Sequence, residues 1–186
     1  MGGRGVPGRR EKLRVLVSET DLARHVAELA AAVTRDFPAG EPLVVVSVMK
    51  GALVFLADLI RRLPMPIEVE LVQARSYRGT ERQNRVHVLD DLTALPVAGR
   101  HVLLLDCVLD SGHTLAALHG ELAAMAPSSL RTCVLLRKTR TDAVGPRPDY
   151  VGLDIPDAFI VGYGLDHENR WRHLPYVAEL IEGESP

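Results

Sequence analysis

Three short runs in which every residue is apolar constrain this chain more than any other feature: Leu43-Val44-Val45-Val46, Val102-Leu103-Leu104-Leu105 and Cys133-Val134-Leu135-Leu136. An alternating run leaves one face to water. A run without polar positions must be covered on both faces, as the central strands of a parallel sheet are by their crossover helices. The segments between the runs supply such helices. Ser18 followed by Asp21 forms a helix start, and Leu22, Val26, Leu29, Val33 and Phe37 recur at helical spacing until Pro38 and Gly40 end the pattern. Residues 52–63 form a second helix, and Leu115, Leu118, Leu122 and Met125 mark one face of a third. Residues 67–72 alternate in part, Val86 and Val88 resume alternation after a polar stretch over 77–85, and Phe159-Ile160-Val161 reads as a fourth apolar strand. Strands alternating with helices predict an α/β domain on a largely parallel sheet.

The 186 residues suffice for one domain with a full core. A net charge of -2 provides no basic excess for a nucleic-acid partner. The one dense basic stretch, within residues 4–14, alternates Gly, Pro and Arg without apolar periodicity, so residues 1–14 are expected to be a flexible tail and residues 15–186 the single domain. No apolar run approaches a membrane span and the N-terminus has no hydrophobic leader segment, so a cytoplasmic protein with no membrane partner is expected. Cys107 and Cys133 both lie in apolar runs, where cysteine behaves as a small buried hydrophobe, and zinc spacing is absent.

In open α/β sheets ligands bind beyond the carboxyl ends of the strands, which directs attention to Lys50-Gly51, the stretch 106–114, Lys138 and Asp166. The richest of these is Asp106-Cys107-Val108-Leu109-Asp110-Ser111-Gly112-His113-Thr114. A helix N-terminus offers free N–H groups to a phosphate, Gly112 permits close backbone approach, and Ser111 and Thr114 add hydroxyl donors. Carboxylates beside a phosphate repel it, so Asp106 and Asp110 are expected to face a sugar or a base. Capping of the helix by Asp110 and Ser111 is the plainer role for this stretch taken alone, but it leaves Asp106, directly behind four apolar residues, without a purpose. The spacing of a Walker loop and that of a dinucleotide fingerprint are both absent, which excludes ATPase and dehydrogenase chemistry of those kinds.

This stretch resembles the phosphoribosyl-pyrophosphate loop of type I phosphoribosyltransferases, and the chain is similar to the hypoxanthine-guanine branch of that family from about Val15 to Ile181. Val48-Met49-Lys50-Gly51 resembles the pyrophosphate loop, where the family has a non-proline cis peptide before the lysine. Ser76-Tyr77 resembles the start of its flexible lid, and Lys138, Ile155-Pro156-Asp157, Phe159, Val161-Gly162-Tyr163, Asp166 and Arg172 follow in the family's order. The resemblance implies a type I phosphoribosyltransferase fold, with a largely parallel central sheet flanked by helices, a small hood and a flexible lid loop. It also implies a magnesium-dependent purine salvage enzyme that transfers a phosphoribosyl group to hypoxanthine or guanine and assembles as a homodimer or homotetramer.

The same resemblance assigns roles. Asp106 and Asp110 lie against the phosphoribosyl group, and Ser111, Gly112, His113 and Thr114 hold its 5′-phosphate. Asp110 faces the purine N7 as the catalytic acid–base group. Lys50, Gly51 and Arg172 bind pyrophosphate. Lys138 donates to the 6-oxo group, Phe159 stacks on the purine and the Ile160 backbone reads its edge; from sequence alone Phe159 serves as well in a core. Ser76 and Tyr77 begin the lid that excludes water, and Asp106 and Asp166 bind Mg²⁺.

One position departs from the family. Its two consecutive acids appear here as Asp106-Cys107, and a thiol is a poor substitute for an ionised acceptor. Loss of one charge-assisted hydrogen bond, worth ~1.5–3 kcal/mol, implies an active enzyme with poorer affinity for phosphoribosyl pyrophosphate. Two readings from other classes stand beside it: a nucleotide sensor that binds without turnover, and an RNA-binding regulator of the same fold, which requires a basic surface.

Overall fold

The computed structural model describes residues 11–38, 40–76, 86–88, 91–140 and 142–181. Strand β1 (Lys12–Val17) precedes helix α1 (Glu19–Asp36), which is capped by Ser18 as its spacing predicts: Ser18 Oγ accepts from the Asp21 N–H at 3.1 Å. There follow β2 (Leu43–Met49), α2 (Leu53–Ile60), β3 (Ile67–Ser76) and β4 (Val86–Val88). After a 3₁₀ turn at Leu92–Ala94 come β5 (His101–Leu109), α3 (His113–Ala124), β6 (Ser129–Lys138), β7 (Tyr150–Ile155), β8 (Ile160–Val161) and β9 (Val177–Ile181).

The main sheet has the order β4-β3-β2-β5-β6-β7, with parallel pairing throughout except for β4, which lies antiparallel on the β3 edge. Each apolar run explains its own burial. In β2, Val45 faces the layer of Leu22, Val26, Phe55 and Leu59 from α1 and α2, whereas Val44 and Val46 face Leu115, Leu118 and Leu122 of α3. β5 divides in the same way, Leu103 and Leu105 to one side and Val102 and Leu104 to the other. All of these residues are buried. Each contributes roughly 1.5–3 kcal/mol by leaving water, which is why a polar residue inside any run would be costly.

A second, three-stranded antiparallel sheet, β1-β9-β8, forms the hood. It corrects two expectations. Lys12, Leu13 and Arg14, assigned to the tail, pair with Ile181, Leu180 and Glu179 as part of β1, and Arg14 makes an ion pair with Glu179. The apolar residues Ile160 and Val161 do form a strand, but it belongs to the hood and pairs with Glu179 and Ala178. An apolar run shows that a strand is covered without showing which sheet it joins. Among the described residues no helix is long and apolar enough to cross a membrane.

Candidate active site

The loops after β2, β5 and β6 meet the segment that enters and leaves the hood, and together they enclose a cleft of about 260 Å³. Lys50 and Gly51 lie on one side of it; Asp110 and Lys138 come from the ends of β5 and β6, and Phe159, Ile160, Asp166 and Arg172 from the hood side. These eight residues, scattered over the chain, were all named from the sequence. Val108 and Leu165 complete the wall as apolar surface.

Asp110 does not cap α3. The residue in that position is Gly112, which makes no side-chain capping bond. The Asp110 carboxylate instead accepts from Lys138 Nζ at 2.9 Å through Oδ2 and from Arg140 Nη1 at 2.9 Å through Oδ1. Phe159 is 45% exposed, so it is a cleft residue rather than a core one; the His167 ring meets it edge-on, with centroids 5.2 Å apart. Ile160 is itself buried, and its backbone is held in the β8–β9 pairing.

The Asp110–Thr114 loop owes its shape to one glycine. Gly112 has φ +83°, and a Cβ there would lie 2.1 Å from the Val144 carbonyl oxygen. The same stretch is tied on its other side, where the Val144 N–H donates to the Ser111 carbonyl at 2.9 Å. Ser111, Gly112, His113 and Thr114 thus form the turn into α3, next to the 260 Å³ cleft but not in its lining.

The Met49–Lys50 peptide is cis, as the resemblance implies, and the Lys50 side chain is exposed. Gly164, at φ +95°, lies so close behind this loop that a Cβ would meet the Gly51 carbonyl oxygen at 2.5 Å. Arg172 donates to the Gly164 carbonyl at 2.7 Å and pairs with Asp166 Oδ1 at 2.6 Å, while Asp166 Oδ2 accepts from the Asn169 N–H at 2.8 Å. The two side chains assigned to pyrophosphate and metal are therefore partners of each other here. Among the described residues no group of three His, Cys, Asp or Glu is placed to hold a metal ion.

Asp106 lies within β5, two residues before the cleft-lining Val108 and outside the lining itself, half-buried, with Oδ1 accepting from the Cys107 N–H at 2.7 Å. Burial pushes its carboxyl up from 3.8 to about 7, against the lowering effect of backbone N–H groups at Cys107 and Val108. Because the folded form holds its proton more tightly than the unfolded chain, the stability Asp106 contributes is complete below pH 4 and is lost as pH rises to about 7. Asp106→Asn cannot ionise, so it is expected to stabilise the fold by roughly 1–3 kcal/mol at pH 8 and to match the wild type near pH 4. Thermal unfolding of both proteins across that range checks this. Equal stability at every pH would mean that the carboxylate remains hydrated in the fold.

Cys107 is fully buried on the face of β5 that carries Leu103 and Leu105, its Sγ 4.0 Å from the Tyr163 carbonyl oxygen, and burial pushes its thiol up. The departure from the family thus falls on a core-facing side chain, where a carboxylate would stand among apolar groups. Of the lid residues, Ser76 ends β3 with its backbone paired to Val86, and Tyr77 lies outside the described residues. The sequence reading missed Arg140 and gave Asp157 no role. Arg140 was open to the rule that found Lys138, since it follows the same strand end two residues later.

Residues 16–168 match the phosphoribosyl transferase domain family, and the chain belongs to it. Within that family its likeness is to the hypoxanthine-guanine branch. It is 40% identical over 170 residues to the hypoxanthine-guanine phosphoribosyltransferase of Aquifex aeolicus (strain VF5), covering 91% of this chain and 95% of that protein. A hypoxanthine-guanine phosphoribosyltransferase structure from Bacillus anthracis superposes with a TM-score of 0.83 at 36% identity, covering 92% of this chain and all of that one. The hypoxanthine phosphoribosyltransferase of Trypanosoma cruzi, in complex with the product IMP, has a TM-score of 0.80 at 32% identity over 96% of this chain and 98% of that one.

Proposed function

We propose that this protein transfers the phosphoribosyl group of phosphoribosyl pyrophosphate to a 6-oxopurine, hypoxanthine or guanine, to give IMP or GMP and pyrophosphate. The observation that carries the reading is the joining of two chemistries in one cleft: Asp110, Lys138 and Phe159 suit a purine, while Lys50, Gly51 and Arg172 suit a polyphosphate. The IMP complex of the Trypanosoma cruzi relative supports the same substrate class.

In this mechanism a purine ring nitrogen attacks C1 of the ribose as the bond to pyrophosphate breaks, and the leaving group takes the bonding electrons. Lys138 turns from Asp110 to the 6-oxo group, and Phe159 stacks on the ring. Asp110 takes the proton that the purine loses at N7. Ser111, Gly112, His113 and Thr114 hold the 5′-phosphate at the start of α3, and Arg172 and the Lys50-Gly51 backbone orient the pyrophosphate. Magnesium, when bound, supplies positive charge against the leaving pyrophosphate. Asp166 and Asp106 are the residues that would hold it. Two carboxylates, with no group of three His, Cys, Asp or Glu gathered among the described residues, fit an ion that takes most of its oxygen ligands from substrate and water. Lid closure from Ser76-Tyr77 would exclude water.

We also infer self-association as a homodimer or homotetramer, which the exposed Val69 and Leu71 on one face of β3 support. We likewise infer a cytoplasmic setting without nucleic-acid or membrane partners; the net charge of -2 gives no basic excess for a nucleic acid.

The test is a steady-state assay with phosphoribosyl pyrophosphate, magnesium and, in turn, hypoxanthine, guanine, xanthine, adenine and uracil, following nucleotide and free pyrophosphate. Turnover is expected with the 6-oxopurines and not with adenine or uracil. Binding without turnover for every base would make the protein a nucleotide sensor.

A further inference from the structure

The Asp110 carboxylate has two cationic partners, only one of which lines the cleft. Lys138 reaches Oδ2 from the cleft wall, whereas Arg140 reaches Oδ1 from outside it. Arg140 is itself fixed. Its Nε and Nη2 fork onto Asp142 at 2.9 and 2.8 Å, and Nη1 lies 3.5 Å from Asp157 Oδ2. Asp157 Oδ1 is in turn 3.5 Å from Lys138 Nζ. Two residues beyond Asp142, Val144 bonds to Ser111 and packs against Gly112, so the guanidinium stands on the same segment that shapes the phosphate loop.

These partners behave differently once a purine enters. As Lys138 turns toward a 6-oxo group, its hold on Asp110 Oδ2 slackens. When it leaves, Oδ2 becomes free and Asp157 remains within reach of the departing ammonium. A carboxylate held by Lys138 alone would then lose its orientation at the moment it must meet N7. We propose that Arg140 is a positioning residue for Asp110: it holds Oδ1 from outside the cleft, so that release of Lys138 to the base frees Oδ2 for the purine without freeing the carboxylate. The assignment rests on the acid–base role proposed above for Asp110. Arg140 touches neither phosphate nor base in this arrangement; its effect passes through Asp110. A bidentate anchor on Asp142 with a third N–H directed at Asp110 requires the planar guanidinium fork, which an ammonium supplies only in part.

The experiment is steady-state kinetics of the full chain with hypoxanthine and magnesium phosphoribosyl pyrophosphate, comparing wild type, Arg140→Ala, Arg140→Lys, Asp110→Asn and Arg140→Ala/Asp110→Asn, with thermal unfolding of each. Arg140→Ala is expected to lower kcat about 10- to 100-fold, the range a displaced catalytic group produces, and to leave KM for phosphoribosyl pyrophosphate within about twofold. Arg140→Lys should recover part of kcat. On the Asp110→Asn background, Arg140→Ala should cost little more, because the two act as one unit. An unchanged kcat in Arg140→Ala would overturn the proposal, as would fully multiplicative effects of the two substitutions. So would a fall in activity that Arg140→Lys does not relieve and that tracks a raised KM for phosphoribosyl pyrophosphate, since that marks damage to the phosphate loop. Should Arg140→Ala not fold, Arg140→Lys and Arg140→Lys/Asp110→Asn take its place: a partial loss of kcat that nearly vanishes on the Asp110→Asn background supports the proposal, and an unchanged or fully multiplicative effect overturns it. Failure of the underlying reading is separate: it is seen as absence of 6-oxopurine turnover in the wild type.

Discussion

Asp110→Asn is expected to lower kcat for nucleotide formation by ~10²–10⁴, the usual contribution of a positioned acid–base group, the role proposed for Asp110, while magnesium phosphoribosyl pyrophosphate is expected to bind about as well as before. The split follows from geometry. Asp110 lies beside Lys138, in the cleft that Phe159 and Ile160 also line, whereas the phosphate loop itself runs over the four residues that follow. Asparagine has nearly the same shape and keeps one carbonyl acceptor for Lys138 or Arg140, but it cannot take up a proton. The substitution also leaves both cations without their shared carboxylate, and Lys138 is only 10% exposed, so some stability is lost. Kinetics and titration calorimetry together separate the effects. A kcat within about threefold of wild type, less than 1 kcal/mol in barrier height, would remove Asp110 from the chemistry.

Gly112→Ala is the second large effect, and it arises from backbone rather than from charge. The left-handed conformation at φ +83° costs a side-chain-bearing residue ~1–2 kcal/mol. The added methyl would also lie 2.1 Å from the Val144 oxygen, a contact that backbone must move to relieve. Movement there pulls on the Val144–Ser111 hydrogen bond, and through the same segment on Arg140 and Asp110. The expected result is a loss of roughly 2–4 kcal/mol in stability and a rise of at least about tenfold in KM for phosphoribosyl pyrophosphate, one lost phosphate contact being worth about that much. Urea unfolding and initial-rate kinetics check the two parts. If the alanine protein keeps both its midpoint and its KM, the loop does not depend on this glycine.

The cleft was readable from the sequence to the extent that it stands at strand ends. β2, β5 and β6 declare themselves by apolar runs, so the residues just beyond them, Lys50, Asp110 and Lys138, could be located before any contact was known. Phe159 was ambiguous for a physical reason: aromatic rings serve in cores and in stacking sites alike, and only its 45% exposure separates the two. The hood was harder. Its strands are short, and β1 and β9 lie more than 150 residues apart, a separation that no local periodicity encodes. Arg140, although just beyond the end of β6, and Asp142 were passed over because a charged pair two residues apart on a polar loop looks like ordinary solvated surface. The burial of Cys107 follows strand alternation with Leu103 and Leu105, a rule available beforehand but outweighed by the motif around it.

The hood also bears on how the chain is made. Its middle strand is β9, the last described element, and its outer strand β1 is the first. During synthesis the parallel sheet can begin to form as β2, β3, β5 and β6 emerge, since each finds its partner within a few tens of residues. β1 must wait unpaired until β9 leaves the ribosome, and β8, which follows Phe159 directly, waits with it. Of the described elements, those that complete the wall that would face the purine therefore come last. A chain released short of Val177 would carry Asp110 and the turn into α3 without a completed hood, so β9 must be made before a base can be enclosed.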